Sequence, residues 1–302
     1  PMYRAALPIA RKLHDEKPFD VIHAHMLPRE GHAGRLLGRA LGVPVALTVH
    51  GTDVFHYFIP GQTPWKRNIE TAQNVDALMA VSSLLLSRVA PYRGEGKISR
   101  VVQNGIDLSL VPENEARRPR SVISVGTLKA RKCMDKTLEA FERLADEYED
   151  ATLTIVGIGE MEAQLKARIA ELRLQESVTL TGGLPHEEVL RRMARSDLFV
   201  LPSWGEGYGI VYIEAMAAGC IAVGAENEGI ADTITDGENG FLVPAADTDA
   251  GRAFRDQFIG MSGTVSVTKD GGEVDALTGA TITSRAVCTG VSAALACAAN
   301  LG

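Results

Sequence analysis

Two glutamates and several glycines lie together in a segment that could bind a nucleotide diphosphate. Glu206 lies in a loop with Gly207 and Gly209 after a short apolar run, and Glu214 lies about two turns into the helical pattern that follows. Backbone N–H groups at a helix start attract anions, and glycines let the backbone approach a phosphate closely. The two carboxylates stand at most about 12 Å apart along a helix axis, which suits hydroxyls at the two ends of a nucleotide diphosphate sugar. On spacing alone, a surface loop with two solvated glutamates is an equal alternative.

A second candidate site is a cluster of cations after another apolar run. Lys129, Arg131 and Lys132 lie between a strand predicted over 121–125 and a predicted helix. Guanidinium and ammonium groups at the carboxyl end of a parallel strand can neutralise phosphates. A solvated basic turn is the alternative that this pattern leaves open.

Histidines near the ends of two predicted strands form a third group of candidates. His50, followed by Gly51, could donate a hydrogen bond to a developing oxyanion or to a sugar hydroxyl. A hydrogen-bonded structural histidine is an equal alternative there. For His23 and His25 packing is favoured over metal binding, because no carboxylate stands at ligand spacing.

Two glycine-containing turns follow other predicted strands. Asn104 and Gly105 favour a positive φ, so they either form a simple turn or supply backbone amides to a cleft between domains. Gly157 and Gly159 make up only part of a dinucleotide-binding pattern, since the third glycine is missing. No dinucleotide site is therefore predicted.

The elements that must position these residues are short apolar strands alternating with helical patterns. Strands are predicted over residues 20–23, 45–49, 77–81, 100–102, 121–125, 152–156, 178–180, 198–201, 220–223 and 241–243. Helices are predicted over residues 29–41, 135–147, 161–172, 187–194 and 208–218. Repeated strand–helix–strand units indicate an α/β fold with parallel sheets, whose ligands bind beyond the carboxyl ends of the strands.

Two breaks in this alternation divide the chain. A polar segment with two prolines separates two strand–helix series and predicts a linker over 111–120. It joins doubly wound domains predicted over 1–110 and 121–250. After residue 244 the alternation stops, and residues 251–302 are predicted to form a small α/β fragment of their own.

Composition excludes several classes of protein. The chain has 31 Lys and Arg residues and 38 Asp and Glu residues, which gives a formal net charge of −7. No nucleic-acid partner is therefore expected. The 4 cysteines form no C-x-x-C pair, which argues against a disulfide scaffold or structural zinc and favours a reducing compartment. No apolar run reaches the ~18 residues of a membrane-spanning helix, so no transmembrane segment is predicted.

Six motifs occur in an order that is similar to one known family. They are DVIHAH (20–25), TVHGTD (48–53), VQNGID (102–107), GTLKARKCMD (126–135), EGYGIVYIE (206–214) and DGENGFLVP (236–244). Residues 1–247 thereby resemble the retaining family 4 glycosyltransferases of the GT-B type. The resemblance implies two Rossmann-like halves, a cytoplasmic enzyme, and transfer of a hexosyl group from a nucleotide diphosphate sugar to an acceptor hydroxyl with retention. No cofactor or metal is predicted for this transfer, because cations and helix N–H groups can stabilise the leaving diphosphate and the sequence offers no Asp-x-Asp pair in a suitable loop.

The resemblance also implies roles for individual residues. Lys132 and Arg131 neutralise the diphosphate, Glu206 faces the donor sugar, and Glu214 holds the nucleotide ribose. His50 matches a histidine near the reacting centre, so His50 and Glu206 are the implied catalytic residues. The remaining residues of the implied binding set are Asn104, Gly207, Tyr208 and Gly209.

The sequence departs from the family pattern in two ways. Thr127 stands where the family often has arginine, and Arg131 is predicted to supply the missing charge. The family's opening strand and glycine-rich loop are absent, as are the helices that follow residue 244, so a first domain that is incomplete and a loss of turnover are expected. A non-catalytic binder of sugar nucleotides is the alternative. A sugar or lipid-linked acceptor, and with it peripheral contact to a membrane, stays open.

The tail resembles a second family. Residues 275–284, DALTGATITS, are similar to the flavinylation motif of the FMN-binding domain found in Rnf-type electron-transport complexes. This resemblance implies Thr281 as the residue that carries FMN through a phosphoester, and an electron-transfer fragment as an alternative function. Those domains lie outside the cytoplasm, which disfavours flavinylation of a chain that uses nucleotide sugars. We interpret the chain as a fusion of the two.

Overall fold

The structure, a computed structural model, divides the chain into two compact units. It describes residues 2–61, 64–113 and 115–244. Unit 1 comprises the residues up to Asn104 together with the segment Gly205–Tyr208. Of the described residues, unit 2 comprises Gly105–Trp204 and the residues from Gly209 to Pro244.

Unit 1 contains a four-stranded parallel sheet. Its strands, in spatial order, are β1 (Ile22–His25), β2 (Val45–Val49), β3 (Ala77–Ala80) and β4 (Ile98–Val101). The α-helices described for this unit are α1 (Met2–Glu16), α2 (His32–Leu41), α3 (Thr52–Phe55), α4 (Trp65–Asn74) and α5 (Ser83–Val89), and a π-helix covers Leu27–Gly31. The inner strands carry the fully buried Leu47 and Leu78, as parallel strands between helical layers require.

Unit 2 contains a six-stranded parallel sheet whose strand order reverses once. The strands are β5 (Ser121–Val125), β6 (Thr152–Val156), β7 (Val178–Leu180), β8 (Leu198–Val200), β9 (Ile221–Ala225) and β10 (Gly240–Val243). The α-helices described here are α6 (Met134–Glu147), α7 (Glu162–Glu171), α8 (His186–Ala194) and α9 (Ile210–Ala217). The spatial order is β10-β9-β8-β5-β6-β7. The chain therefore winds outward in both directions from β5 and β8, which lie side by side.

The core of unit 2 is built by the apolar runs that the sequence shows. Ile123, Leu153 and Phe199 lie on neighbouring strands and are fully buried. The ring of Tyr212 on α9 packs edge-on against Phe199 with centroids 5.2 Å apart. Its hydroxyl donates to the carbonyl oxygen of Leu201, so α9 is fixed to the end of β8 by an aromatic contact and a buried hydrogen bond.

The α/β architecture with parallel sheets agrees with the sequence prediction. The helices α1, α3, α4 and α5 lie outside the predicted ranges, and the predicted elements differ from the structure at their ends. The first strand begins at Ile22 and not at residue 20, because its register pairs Ile22 with Val45. The helix predicted over 29–41 consists of a π-helix followed by α2. The helix predicted from residue 208 begins at Ile210, since Gly209 adopts a left-handed φ of 84° that no α-helix contains.

The described residues contain neither a membrane-spanning helix nor a cluster of metal-ligating side chains. In those ranges no helix has the length and apolar character needed to cross a bilayer. Within the same ranges, His, Cys, Asp and Glu side chains form no group of three or more suited to a metal ion. The linker over 111–120 stays a prediction, and the fragment over 251–302 with Thr281 lies outside the described residues.

Candidate functional site

The cationic turn, residues 129–132, contacts Trp204 at the point where the strand order of unit 2 reverses. The turn follows β5 and Trp204 follows β8, and these two strands are neighbours. The backbone N–H of Trp204 donates to the carbonyl oxygen of Arg131 at 2.9 Å. In open parallel sheets, ligands bind in the crevice beyond the carboxyl ends of the strands at such a reversal. Unit 2 thus places the cationic turn at its expected ligand-binding edge.

Lys132 is held within a tightly folded turn. Ala130–Lys132 form a single 3₁₀ turn, in which the backbone N–H of Lys132 donates to the carbonyl oxygen of Lys129 at 2.9 Å. Cys133 then adopts a left-handed φ of 51°, and α6 begins at Met134. Only 8% of Lys132 is exposed. Burial of an ammonium group is costly without polar partners, and Lys132 makes interactions within the chain.

Helix α9 begins directly after the glycine-rich segment. Gly209 is its N-cap and lies in the left-handed region, from which its carbonyl oxygen accepts the N–H of Tyr212 at 3.0 Å. The first amides of a helix carry partial positive charge and favour anions. Glu214 lies just over one turn into α9. The expected position two turns into the helix is wrong, because α9 begins at Ile210.

The carboxylate of Glu214 is paired with a histidine that the sequence analysis did not select. Nε2 of His186 lies 2.8 Å from Oε1 of Glu214. The Glu214 side chain is 17% exposed and that of His186 is 54% exposed. His186 is the first residue of α8. Its place after the strand predicted over 178–180 was the one signal in the sequence that could have marked it as a site residue.

The loops that follow β5, β6 and β7 are hydrogen-bonded to one another. The N–H of Leu128 donates to the carbonyl oxygen of Ile158 at 2.9 Å, and that of Gly157 donates to Gly182 at 2.9 Å. A Cβ on Gly157 would lie 1.8 Å from the carbonyl oxygen of Gly126. Close packing between neighbouring loops therefore accounts for glycine at position 157.

In unit 1, a buried carboxylate holds the backbone around His50. Asp53 is fully buried. Its Oδ1 accepts the backbone N–H groups of His50 at 3.0 Å and Gly51 at 2.9 Å. Its Oδ2 accepts the N–H of Leu27 at 3.1 Å. The sequence analysis did not select Asp53, which joins the carboxyl ends of β1 and β2.

Three histidines lie in a row at the same edge of the unit 1 sheet. Nδ1 of His25 lies 2.8 Å from Nε2 of His50, and the rings of His23 and His25 have centroids 4.2 Å apart. Nε2 of His23 lies 2.8 Å from the hydroxyl of Thr48. Burial lowers the pKa of His50 below its ordinary value, the Asp53 carboxylate opposes this, and the other two histidines lower the pKa further. Burial, with His25, also lowers the pKa of His23.

The segment Gly205–Tyr208 contacts the turn that carries His50. A Cβ on Gly207 would lie 2.5 Å from the carbonyl oxygen of His50 and 2.9 Å from Cα of Gly51. The approach of the two backbones requires glycine at position 207. The backbone next to Glu206 therefore lies against the backbone of His50.

The predicted site residues divide between the two units. Within unit 1 the structure brings together the turn of His50 and the segment that contains Glu206, Gly207 and the buried Tyr208. Asn104 also belongs to unit 1, beyond the end of β4. The residues that lie in unit 2 are Arg131, Lys132, Gly209 and Glu214.

Comparison with known families matches almost the whole described chain. Residues 109–255 match the family described as glycosyl transferases group 1, and residues 1–110 match glycosyltransferase family 4. The amylovoran biosynthesis glycosyltransferase AmsK of Erwinia amylovora is 30% identical over 252 residues, which are 78% of this chain and 61% of AmsK. The glycogen synthase of Mycobacterium tuberculosis is 29% identical over 251 residues, 79% of this chain and 60% of that protein.

A third similar protein is a GDP-mannose-dependent alpha-(1-6)-phosphatidylinositol monomannoside mannosyltransferase of Mycolicibacterium smegmatis. It is 30% identical over 235 residues, which are 72% of this chain and 61% of that protein. The chain thus spans about three-fifths of the length of each of these three relatives.

Solved structures share the fold at lower sequence identity. Anabaena Alr3699/HepE in complex with UDP has a TM-score of 0.67 at 19% identity, over 98% of this chain and 80% of that one. The pneumococcal O-GlcNAc transferase GtfA in complex with UDP and GlcNAc has a TM-score of 0.63 at 18% identity, over 82% of this chain and 50% of that one. With the two parallel α/β sheets, these similarities confirm the predicted pair of Rossmann-like halves of the GT-B type.

Proposed function

Because residues 1–255 consist of a family 4 glycosyltransferase domain followed by a group 1 glycosyltransferase domain, we propose that the protein transfers a hexosyl group from a nucleotide diphosphate sugar to an acceptor hydroxyl. We further propose retention of configuration at the anomeric carbon, on the resemblance of the motifs. The reaction is assigned to the cytoplasm, where nucleotide sugars are available. The alternative of a non-catalytic sugar-nucleotide binder is tested by the same experiment.

One observation carries this proposal: the hydrogen bond between Trp204 and Arg131 at the reversal of the unit 2 sheet. It holds the turn of Arg131 and Lys132 beside the segment that leads into α9. In this proposal the cations and the helix amides face the same crevice, where negative charge develops on the leaving diphosphate. A fixed positive field at that point stabilises the transition state without reorganisation. In this proposal the diphosphate binds between the cationic turn and the start of α9.

The other predicted residues take roles around the diphosphate. Glu214, on α9, accepts hydrogen bonds from the ribose hydroxyls, and Glu206 contacts the hydroxyls of the donor sugar. His50 donates to an oxygen of the reacting sugar or of the acceptor. A neutral imidazole suits this role, and burial, which lowers the pKa of His50, favours the neutral form.

The relatives indicate which donors and acceptors to try. The name of one similar protein includes GDP-mannose and phosphatidylinositol monomannoside, and the name of another includes amylovoran. Two similar structures contain UDP. We therefore propose UDP- or GDP-linked hexoses as donors and a saccharide, free or lipid-linked, as the acceptor.

The experiment is calorimetric titration of the chain with UDP, GDP and ADP, beside an assay of hydrolysis and transfer from UDP-glucose and GDP-mannose. Lys132→Met, which conserves side-chain length, is expected to weaken binding of the preferred nucleotide about tenfold or more, since a charge-assisted hydrogen bond is lost. Lys129→Met is the matched control, because Lys129 is exposed in the same segment. Failure of the unchanged chain to bind any of the three nucleotides would contradict the proposal, and binding without turnover would support the binder alternative.

For residues 251–302, FMN on Thr281 is kept as a separate proposal that rests on the motif over 275–284. Co-expression with a flavin transferase would give acid-stable yellow protein, and Thr281→Val would abolish the colour. Colourless protein from the unchanged sequence would contradict it.

A further inference from the structure

The carboxylate that the proposed function assigns to the nucleotide ribose already has a hydrogen-bond partner. Nε2 of His186 lies 2.8 Å from Oε1 of Glu214. A carboxylate can only accept, so Nε2 must carry the hydrogen, as it does in one neutral tautomer and in the imidazolium. The Glu214 side chain is only 17% exposed, so its orientation is constrained by packing as well as by this bond.

The two residues come from neighbouring helices at one edge of the unit 2 sheet. His186 is the first residue of α8, directly after Pro185, and Glu214 lies in the second turn of α9. The next charged residues of α8 have partners on α8 itself: Nη1 of Arg191 and Nε of Arg192 contact Glu188 at 2.6 Å and 2.9 Å. His186 differs from them because its hydrogen bond reaches α9.

We propose that His186 is a positioning residue for nucleotide binding, which it affects by fixing the carboxylate of Glu214. This inference rests on the proposed function. Nε2–H of His186 holds Oε1, and the second oxygen is then oriented to accept from the ribose hydroxyls. A carboxylate has about four lone-pair sites, so one bond to His186 leaves capacity for the ribose. A glutamate ordered before binding loses less conformational entropy when the nucleotide arrives.

The test compares ribonucleotides with nucleotides that lack the ribose hydroxyls. Dissociation constants are measured for UDP, GDP and ADP and for their 2′,3′-dideoxy counterparts. The ratio of the dideoxy constant to the ribonucleotide constant reports recognition of the hydroxyls. In His186→Ala this ratio is expected to fall roughly three- to tenfold, the equivalent of about one net hydrogen bond. Affinity for the dideoxy nucleotides is expected to stay unchanged, which also shows that the fold is intact.

Two further variants separate positioning from a structural role. His186→Gln places an amide N–H near the position of Nε2 and is expected to restore the ratio. Glu187→Gln is the neighbouring control, since Glu187 is paired with Arg191 on the same helix, and it is expected to leave the ratio unchanged. If His186 acts through Glu214, the double variant His186→Ala/Glu214→Ala has the same ratio as Glu214→Ala alone.

Three results would overturn the inference. They are an unchanged ratio in His186→Ala, an equal loss of affinity for both kinds of nucleotide, and a ratio in the double variant below that of Glu214→Ala. Each differs from failure of the proposed function, which would show as absence of nucleotide binding by the unchanged chain.

Discussion

Asp53 accepts the backbone N–H of Leu27 through Oδ2 at 3.1 Å, and this hydrogen bond joins the segments that follow two adjacent strands, β1 and β2. Through Oδ1 the same carboxylate holds the backbone of His50. A fully buried carboxylate that satisfies three backbone donors is stabilising only while all of its acceptor positions are kept. The turn of His50 therefore depends on the charge and shape of one side chain.

Asp53→Asn is expected to destabilise the protein by about 2–4 kcal/mol, because the amide turns one acceptor oxygen into a donor that faces a backbone N–H. Urea unfolding measures the change. Asp20→Asn, at an exposed position, is the control and should change the free energy of unfolding little. Equal stability of the two variants would contradict the assigned role of Asp53.

Stability is expected to fall as the pH drops below about 6.5, the ordinary pKa of histidine. The pKa values of His50 and His23 are lowered by burial in the folded chain, so the unfolded chain binds more protons between the folded and the ordinary pKa. Stability contributed by the neutral imidazoles is present above that range and is lost through it.

Urea midpoints at pH 7.5 and pH 5.5 measure this dependence on pH. The dependence should weaken in His50→Gln, whereas His56→Gln, at an exposed position, should behave like the unchanged chain. A midpoint in His50→Gln that falls with pH as steeply as in the unchanged chain would argue against burial of this imidazole.

Gly157→Ala is expected to cost about 2–4 kcal/mol, because its Cβ would lie 1.8 Å from the carbonyl oxygen of Gly126 at a φ of 151°. Gly182→Ala is the matched control: its φ is also positive, at 71°, but nothing lies within 4 Å of the added Cβ. It should cost only about 1 kcal/mol. Thermal unfolding compares the two, and equal costs would show that the loops can separate.

Tyr212→Phe is expected to destabilise the protein by about 1 kcal/mol, since one net hydrogen bond is lost while the carbonyl oxygen of Leu201 still accepts the backbone N–H of Ser203. Because that bond fixes α9 to the end of β8, affinity for the preferred nucleotide should fall as well. Tyr148→Phe is the control, as the hydroxyl of Tyr148 contacts the exposed Glu147. Unchanged nucleotide affinity in Tyr212→Phe would separate α9 from the binding site.

Most strands could be predicted from the sequence, and the start of β4 could not. The strands over 45–49, 121–125, 152–156 and 178–180 agree with β2, β5, β6 and β7 residue for residue. Parallel strands covered by helices on both faces give short apolar runs that stand out in the sequence. β4 lies at an edge of its sheet and is mostly exposed. Two polar residues follow Ile98, so no apolar run marks the start of β4, and the prediction missed Ile98 and Ser99.

The candidate site could be predicted where it depends on sheet geometry. Arg131 and Trp204 follow neighbouring strands of one parallel sheet, and the rule on carboxyl ends brings them to one edge. The contact of His186 with Glu214 was not predictable, because it depends on how two helices pack. Asp53 was missed for a similar reason: its partner Leu27 lies in the π-helix after β1, distant in sequence, and no local pattern reveals that pairing.

The close approach of Gly207 to His50 means that main-chain atoms, and not side chains, set the spacing between the two residues proposed to be catalytic. A displacement at the end of β2 would be transmitted to the peptide that follows Glu206 without passing through any rotamer. Side-chain substitutions elsewhere in unit 1 that leave this backbone contact in place therefore keep the two residues at the same separation.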